Sequence, residues 1–232
     1  METTLLPTLM GGALMALLAG LDRMPVGQFM LCRPLVCAPL TGMVVGQLQA
    51  GLTVGILAEL IWLGRLPVGA TVPPDDTQAS VGAVVLCALF AGGENVSAAQ
   101  TLYCLLLALP LAKTGLLLEH WARRRNDRLP DLLLARLERE DDAAVERIHL
   151  RGLIHFTLAC LGTYTIVVGA GWVVGRALEP LALPVIGQIH FPVGLSLPLV
   201  GASVLLATLN VSRSLTLFCA SFLAVYLAGW VL

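Results

Sequence analysis

This sequence predicts an all-α, polytopic membrane fold with broken or re-entrant helices and an amphipathic helical arm on the cytoplasmic side. Three observations carry that prediction. The 232 residues are 57% hydrophobic and only 12% charged, with a mean hydropathy of +0.86, which leaves too little polar side chain to cover a soluble globule. Apolar runs recur along almost the whole chain, yet glycine and proline interrupt many of them. The charge is gathered into one island: between Arg123 and Arg151 lie eight of the fourteen basic and seven of the fifteen acidic residues.

In chain order, Leu5 to Leu21 is the first apolar run, closed by Asp22, Arg23 and Pro25 at a membrane boundary. It lacks the basic region and small-residue cleavage site of a secretory signal, so it is expected to stay in the mature protein. Phe29 to Val45 follows, with Pro34 and Pro39 breaking up its start and Arg33 placed either to snorkel toward headgroups or to pair with an acid. Phe29 to Val45, Gly51 to Leu63 and Ala79 to Ala91 all fall short of the about 20 apolar residues that a span requires, which favours half-spans or re-entrant hairpins over full helices. Glycines four apart, at Gly42 and Gly46, Gly51 and Gly55, and Gly171 and Gly175, let helix backbones approach closely in lipid.

Gly92-Gly93-Glu94-Asn95 is a turn, and Ser97 with Gln100 has capping-box spacing for the next helix; this accounts for Ser97 better than the coincident Asn95-Val96-Ser97 sequon does. That helix runs through Leu102 to His120, kinked at Pro110, with Lys113 as a lone cation. In the polar island Arg123, Arg124, Arg125 and Arg128 directly follow the membrane segment, which places the loop in the cytoplasm. Leu133, Leu134, Leu137, Ala144, Val145 and Ile148 fall roughly on one helical face, as in an arm lying on the bilayer or on a partner. Gly152 to Val174, Leu181 to Leu209 and Ser214 to Leu232 complete the apolar segments. Gln188, His190, Ser196 and Asn210 are the polar members of the interrupted middle one, either facing a pathway or satisfying backbone freed by prolines. The chain divides into an N-terminal membrane region carrying the candidate site (1–119), the arm (120–151) and a C-terminal membrane region (152–232).

The site candidates come from Gly46 to Ser80. Gly46, Gly51, Gly55, Gly64 and Gly69 interrupt this apolar stretch, Pro67, Pro73 and Pro74 remove donors, and Glu59 sits among Leu, Ile and Trp. In lipid, irregular backbone and an ionisable group persist only where protein buries them or a wet cavity receives them, so a polar ligand is expected here. Glu59 is either a ligand acceptor or half of an ion pair with Arg33 or Arg65. Asp75 and Asp76 either cap a helix beginning near Thr77 or face the ligand, and Gln47 and Gln78 add mixed donors and acceptors.

No soluble-enzyme signature competes with this stretch. Cys32, Cys37, Cys87, Cys104, Cys160 and Cys219 are scattered singly, and His120, His149, His155 and His190 are equally dispersed, so neither metal nor cofactor is called for. The seven acids among the basic residues of the island argue against nucleic acid as a partner.

Several motifs occur in an order that resembles a known family: Arg33-Pro34-Leu35 followed by Gly42 and Gly46, G-x-x-x-G-x-x-x-E over Gly51 to Glu59, and Gly64 followed by Val68-Gly69-Ala70. Pro74-Asp75 to Ala79-Ser80 and Ile148-His149 extend the pattern. The chain is similar to the IIC membrane subunit of the mannose/fructose/sorbose class of the bacterial phosphoenolpyruvate-dependent sugar phosphotransferase system. The resemblance implies a multi-pass protein of the bacterial inner membrane that works with a IID membrane subunit in a trimer of IIC–IID pairs. It implies a hexose bound in the membrane and carried inward, with phosphate passed from histidine by cytoplasmic IIA and IIB, or IIAB, chains. The phosphoryl-transfer residues are then on partner chains, and this subunit is not itself an enzyme. Glu59 and Asp75 become the expected sugar contacts, with Gln47 and Gln78 beside them.

This chain has Cys32 where the family usually has His, Pro67 where it often has Asn, and ends at Leu232 where relatives continue. Those departures keep open a degenerate or regulatory subunit that senses sugar without importing it. An unrelated broken-helix channel or secondary transporter is the other alternative.

Overall fold

The computed structural model describes residues 2–63, 74–92, 94–139, 141, 143–188, 201–204 and 214–231. Gly64, Arg65, Pro67, Val68, Gly69, Ala70, Pro73, Gly93, His190, Ser196 and Asn210, singled out above, lie outside the described residues. Among the described residues the regular structure is helical: α1 (Glu2–Asp22), α2 (Pro34–Val45), α3 (Leu48–Trp62), α4 (Asp76–Ala91), α5 (Ala98–Leu111), α6 (Thr114–Asn126), α7 (Leu129–Leu137), α8 (Ala144–Gln188) and α9 (Ser214–Val231). Two of these, α1 and α8, are long and apolar enough to cross a membrane. The pair formed by α5 and the helical stretch Thr114–Leu137, bent by 40°, makes a third if counted as one span.

The short apolar segments form a helical hairpin. Pro34 supplies the fixed φ that starts α2, and Gly46 ends it in the left-handed conformation at φ 77°, where its N–H bonds back to the Gly42 carbonyl. The return helix α3 packs against α2 at backbone contact. A Cβ on Gly51 would lie 2.6 Å from the Ala38 carbonyl oxygen, one on Gly55 2.9 Å from that of Pro34, and one on Gly42 2.7 Å from that of Gln47. Of the glycine pair at positions 42 and 46, then, Gly42 packs and Gly46 turns. At 12 and 15 residues, α2 and α3 are roughly 18 and 22 Å long, too short for the about 30 Å hydrocarbon core, in keeping with a re-entrant element.

Helix α4 carries the centre of the bundle, with every residue from Thr77 to Cys87 buried. Its Ala79, Ala83 and Val84 pack with Val54, Ala58 and Trp62 of α3, Leu105 and Ala108 of α5 and Val167 of α8. Val81 and Val85 pack instead with Ala16 and Ala19 of α1 and with Tyr164 and Val168 of α8. Close contact with α8 depends on missing side chains, since a Cβ on Gly82 would run into Val167 and one on Gly171 would meet Leu86 at 2.7 Å.

Two elements differ from the sequence expectation. The helix expected over Leu102 to His120 is two, α5 and α6, parted at Ala112 and Lys113. Pro110 cannot donate, Lys113 N–H bonds to the Pro110 carbonyl in a tighter turn, and the Thr114 hydroxyl takes the Leu111 carbonyl at 2.7 Å, so the broken ladder is satisfied locally. Conversely, α8 runs through 45 residues, about 67 Å, where separate segments were expected, and it continues across Pro180 and Pro184. Trp172 before the prolines, Ala182 and Leu183 between them and Ile186 after them pack on the same cluster around Leu86 and Tyr103, and this packing outweighs the lost hydrogen bonds. Tyr103 also donates its hydroxyl to the Gly175 carbonyl at 2.5 Å.

The polar island folds as the C-terminal half of α6, α7 and the first turns of α8. Leu133, Val145 and Ile148 line a groove with Pro25 and Leu129, as the amphipathic pattern anticipates, while Leu134 and Leu137 stay exposed.

Candidate functional site

Charged side chains gather where α1 ends beside the start of α4, with α2 on one side and Gly115 of α6 against Asp75 on the other. Asp75 precedes α4 and accepts from the Gln78 N–H at 3.0 Å, so it is the cap anticipated for this helix. The same oxygen, Oδ1, accepts from Arg23 Nη1 at 3.1 Å, and Arg23 also reaches Asp76 at 3.5 Å. Among the described residues both hydrogen bonds to the Asp75 carboxylate thus fall on Oδ1, leaving Oδ2 packed beside Gly115, where a Cβ would approach it to 3.1 Å. Asp22 folds the loop that follows α1, accepting from Phe29 N–H at 2.7 Å and Cys32 N–H at 3.2 Å. That loop holds Gly27, Gln28 and Met30 at positive φ and delivers the Cys32 carbonyl to the Thr77 hydroxyl at 2.8 Å.

Glu59 lies at the same end of the hairpin. It pairs with Arg33 Nη2 at 2.6 Å and accepts from the first-turn N–H of Leu35 at 3.3 Å. Of the two roles open to Arg33, the structure shows pairing with an acid. On α6, Glu119 binds Arg123 at 2.7 Å, and Arg123 reaches the Met24 sulfur. Four carboxylates, Glu59, Asp75, Asp76 and Glu119, are therefore paired with three guanidiniums, Arg23, Arg33 and Arg123, while Asp22 is taken up by the amides of its loop.

Gln78, fully buried one turn into α4, donates Nε2 to the Ala16 carbonyl at 2.9 Å. Its Oε1 is the buried side-chain oxygen without a hydrogen-bond partner among the described residues. Leaving a buried acceptor unmade costs about 1–3 kcal/mol, so it is a natural place for a ligand hydroxyl or a water.

Of the four anticipated residues, Glu59, Asp75 and Gln78 come to one end of the bundle. Gln47 does not: it stands twelve positions before Glu59 on α3, roughly 18 Å away along the helix, and donates to the Glu94 carbonyl at 2.7 Å. Two members of the cluster, Arg23 and Glu119, are not among the residues the sequence points to. Asp22 and Arg23 read as an ordinary helix end, and the carboxylates that Arg23 binds are about fifty positions away. Glu119 carried a readable sign, an acid in an apolar run with an arginine four residues on.

Residues 9–231 match the family described as the PTS system sorbose-specific IIC component. The chain belongs to that family. The PTS system mannose-specific EIIC component of Escherichia coli (strain K12) is 33% identical over 102 residues, covering 44% of this chain and 35% of the relative. The sorbose-specific EIIC component of Lacticaseibacillus casei is 27% identical over 127 residues, covering 55% and 43%. The alignments thus span about a third to two fifths of these relatives' own length. In solved structures the fold recurs in a chain described as a membrane protein, with a TM-score of 0.64 at 21% identity over 97% of this chain and 87% of that one. It recurs also in the mannose transporter ManYZ in complex with microcin E492, with a TM-score of 0.58 at 20% identity over the same shares. At those identities the likeness is one of fold, an all-helical membrane fold with short apolar helices and a broken helix pair.

Proposed function

We propose that this protein is the sugar-translocating IIC component of a mannose-type phosphotransferase-system permease, binding a hexose within the membrane and carrying it inward for phosphorylation by a cytoplasmic IIB chain. The observation that supports this most is the family match over residues 9–231. Under this reading the protein pairs with a IID subunit in a trimer of such pairs in the bacterial inner membrane. The histidine phosphate carriers reside on IIA and IIB, and this subunit catalyses no covalent step. Region 1–119 holds the sugar, 120–151 is the cytoplasmic arm, and 152–232 completes the membrane body.

The geometry supplies a chemical reason for the site. A hexose presents hydroxyls that both donate and accept. Carboxylates at Glu59 and Asp75 and the unpartnered Oε1 of Gln78 accept from them, while the guanidiniums of Arg23 and Arg33 donate to their oxygens. Gln78 is fully buried, so α1 and α4 must part for sugar to reach it, consistent with alternating access by a unit containing the broken helices. Gln47, at the opposite end of the hairpin, is assigned to a separate stage of the passage.

The test is uptake of radiolabelled hexoses by cells lacking their own mannose-type permease and supplied with this chain, its IID partner and the soluble donors. Glu59→Gln keeps the size of the side chain but removes its charge. It is expected to reduce uptake at least ten-fold while the IIC–IID complex still co-purifies, with Gln47→Ala reducing it less. Full uptake by Glu59→Gln would remove that residue from the site. Absence of binding or phosphorylation of any hexose by the complete wild-type system would sink the transport reading itself.

A further inference from the structure

A second charged surface lies outside the cluster just described. Leu117, His120, Trp121, Arg124, Arg125 and Arg128 line a cleft of about 570 Å³. On a 3.6-residue period they fall on a single face of α6 and its continuation, spanning roughly 16 Å along the axis. The face is graded. Leu117, 73% exposed, and Trp121 form its apolar upper part, at the end of the leucine-rich run, and the three arginines form its lower part. Among the described residues the side chains of Arg124, Arg125 and Arg128 make no ion pair with any carboxylate, in contrast to Arg123 on the adjoining face, which binds Glu119. The Arg125 guanidinium lies 5.8 Å from the centre of the Trp121 ring, and that ring is braced edge-on by His155 of α8. The cationic head is thus held beside the apolar surface instead of being paired away.

An exposed apolar strip running directly into unpaired cations complements one kind of molecule well: an anion of the phosphate class carrying a hydrocarbon tail. Trp at the level where apolar sequence passes into charge, with arginines just beyond on the basic side, matches the depth of a lipid headgroup. We propose that this face of α6 is a binding site for an anionic phospholipid, the phosphodiester on Arg124, Arg125 and Arg128 and an acyl chain along Trp121 and Leu117. The site is independent of the sugar reading, because none of its residues belongs to the cluster around Asp75 and Glu59.

The experiment uses the full chain, purified in a nonionic detergent and titrated with phosphatidylglycerol, phosphatidylcholine or inorganic phosphate, with bound lipid counted by native mass spectrometry. Phosphatidylglycerol is expected to be retained and to raise the melting temperature, and phosphatidylcholine to do neither. The variant Arg124→Gln/Arg125→Gln/Arg128→Gln is expected to lose phosphatidylglycerol affinity roughly 100-fold, the sum of three headgroup contacts, and Arg136→Gln/Arg139→Gln to change it less than three-fold. Should the triple variant be recovered unfolded, Arg128→Gln carries the test with a loss of about five-fold, since that side chain makes no hydrogen bond or ion pair among the described residues. Equal retention of the two lipids, or unchanged affinity in these variants, overturns the proposal. So does stabilisation by inorganic phosphate that matches the lipid's, which would make the site one for a free anion, or loss of IID co-purification with lipid binding intact, which would make it a protein interface.

Discussion

Replacing Arg23 by glutamine would leave the caps of α4 facing each other without their shared cation. Arg23 is 15% exposed at its side chain, and the carboxylates it bridges, Asp75 and Asp76, are 13% and 25% exposed and adjacent in sequence. Breaking a pair buried to this degree costs about 3–5 kcal/mol, chiefly because charge is left behind without compensation. An exposed pair such as Arg147 with Asp141, whose arginine is 61% exposed, is worth only about 0–1 kcal/mol. At roughly 2–4 °C per kcal/mol for a chain of this size, Arg23→Gln is expected to melt about 6–20 °C below wild type, and Arg147→Gln to stay within about 4 °C. The assay is thermal unfolding of the purified chain in one detergent, followed by a fluorescence or aggregation signal. If the reasoning about uncompensated charge is right, adding Asp76→Asn to Arg23→Gln recovers part of the loss, because one stranded carboxylate is gone while Asp75 still caps the helix. An Arg23→Gln protein as stable as Arg147→Gln, or a double variant less stable than the single, would refute the argument.

Two further perturbations probe the hairpin and the buried amide. Gly51→Leu forces a side chain into space where even a Cβ lies 2.6 Å from the Ala38 carbonyl oxygen, so α2 and α3 must separate. Stability is expected to fall by at least the about 1–3 kcal/mol of an overpacked core, read as a lower melting temperature, with Gly187→Leu, where a Cβ meets no atom within 4 Å, as the tolerant control. Gln78→Met removes both the orphan oxygen and the bond to the Ala16 carbonyl, a loss of about 1 kcal/mol set against relief of about 1–3 kcal/mol. Stability close to or above wild type together with uptake reduced at least ten-fold is the expected pair of results, and normal uptake would show that Gln78 serves packing alone.

Much of the fold was legible because its punctuation is local. Asp75 ahead of α4 and Ser97 ahead of α5 each act within a few residues and lie where the sequence indicates, whereas Gly46, expected to pack like Gly42, ends α2 in the left-handed conformation, and Pro34 begins that helix instead of breaking it up. The short apolar runs and the Gly51 and Gly55 spacing likewise announced a tight hairpin. What could not be read was the weight of tertiary packing against a proline. Pro110 and Pro180 look alike in sequence. The first stands next to a break, where Thr114 closes the open ladder, and the second is carried through by contacts of Trp172, Leu183 and Ile186 on one cluster. No window of sequence contains both sides of that balance.

The site shows the same division more sharply. A lone carboxylate in an apolar run has to find a partner, and this requirement singles out Glu59 and leaves Arg33 among its possible counterions. Which carboxylates would share a cation depended on the loop after α1. Asp22 gathers the Phe29 and Cys32 amides, and the loop then places the Cys32 carbonyl on Thr77 while Arg23 turns toward Asp75 and Asp76. The residues that make that loop are unremarkable polar and apolar types with three positive φ angles among them, so no residue pattern foretold it. Gln47 illustrates the opposite error. It lies in the same stretch as Glu59 and has suitable chemistry, but a helical hairpin separates its two ends by the length of its helices, and closeness in sequence did not become closeness in space. The arrangement around Asp75 therefore has a functional implication that the individual residues lack. Arg23 and the Gln78 amide both hold Oδ1, Gly115 packs directly against the Asp75 side chain, and Gln78 brings an unused acceptor within the first turn of the same helix, so the buried oxygen left over is one that a donor hydroxyl would satisfy.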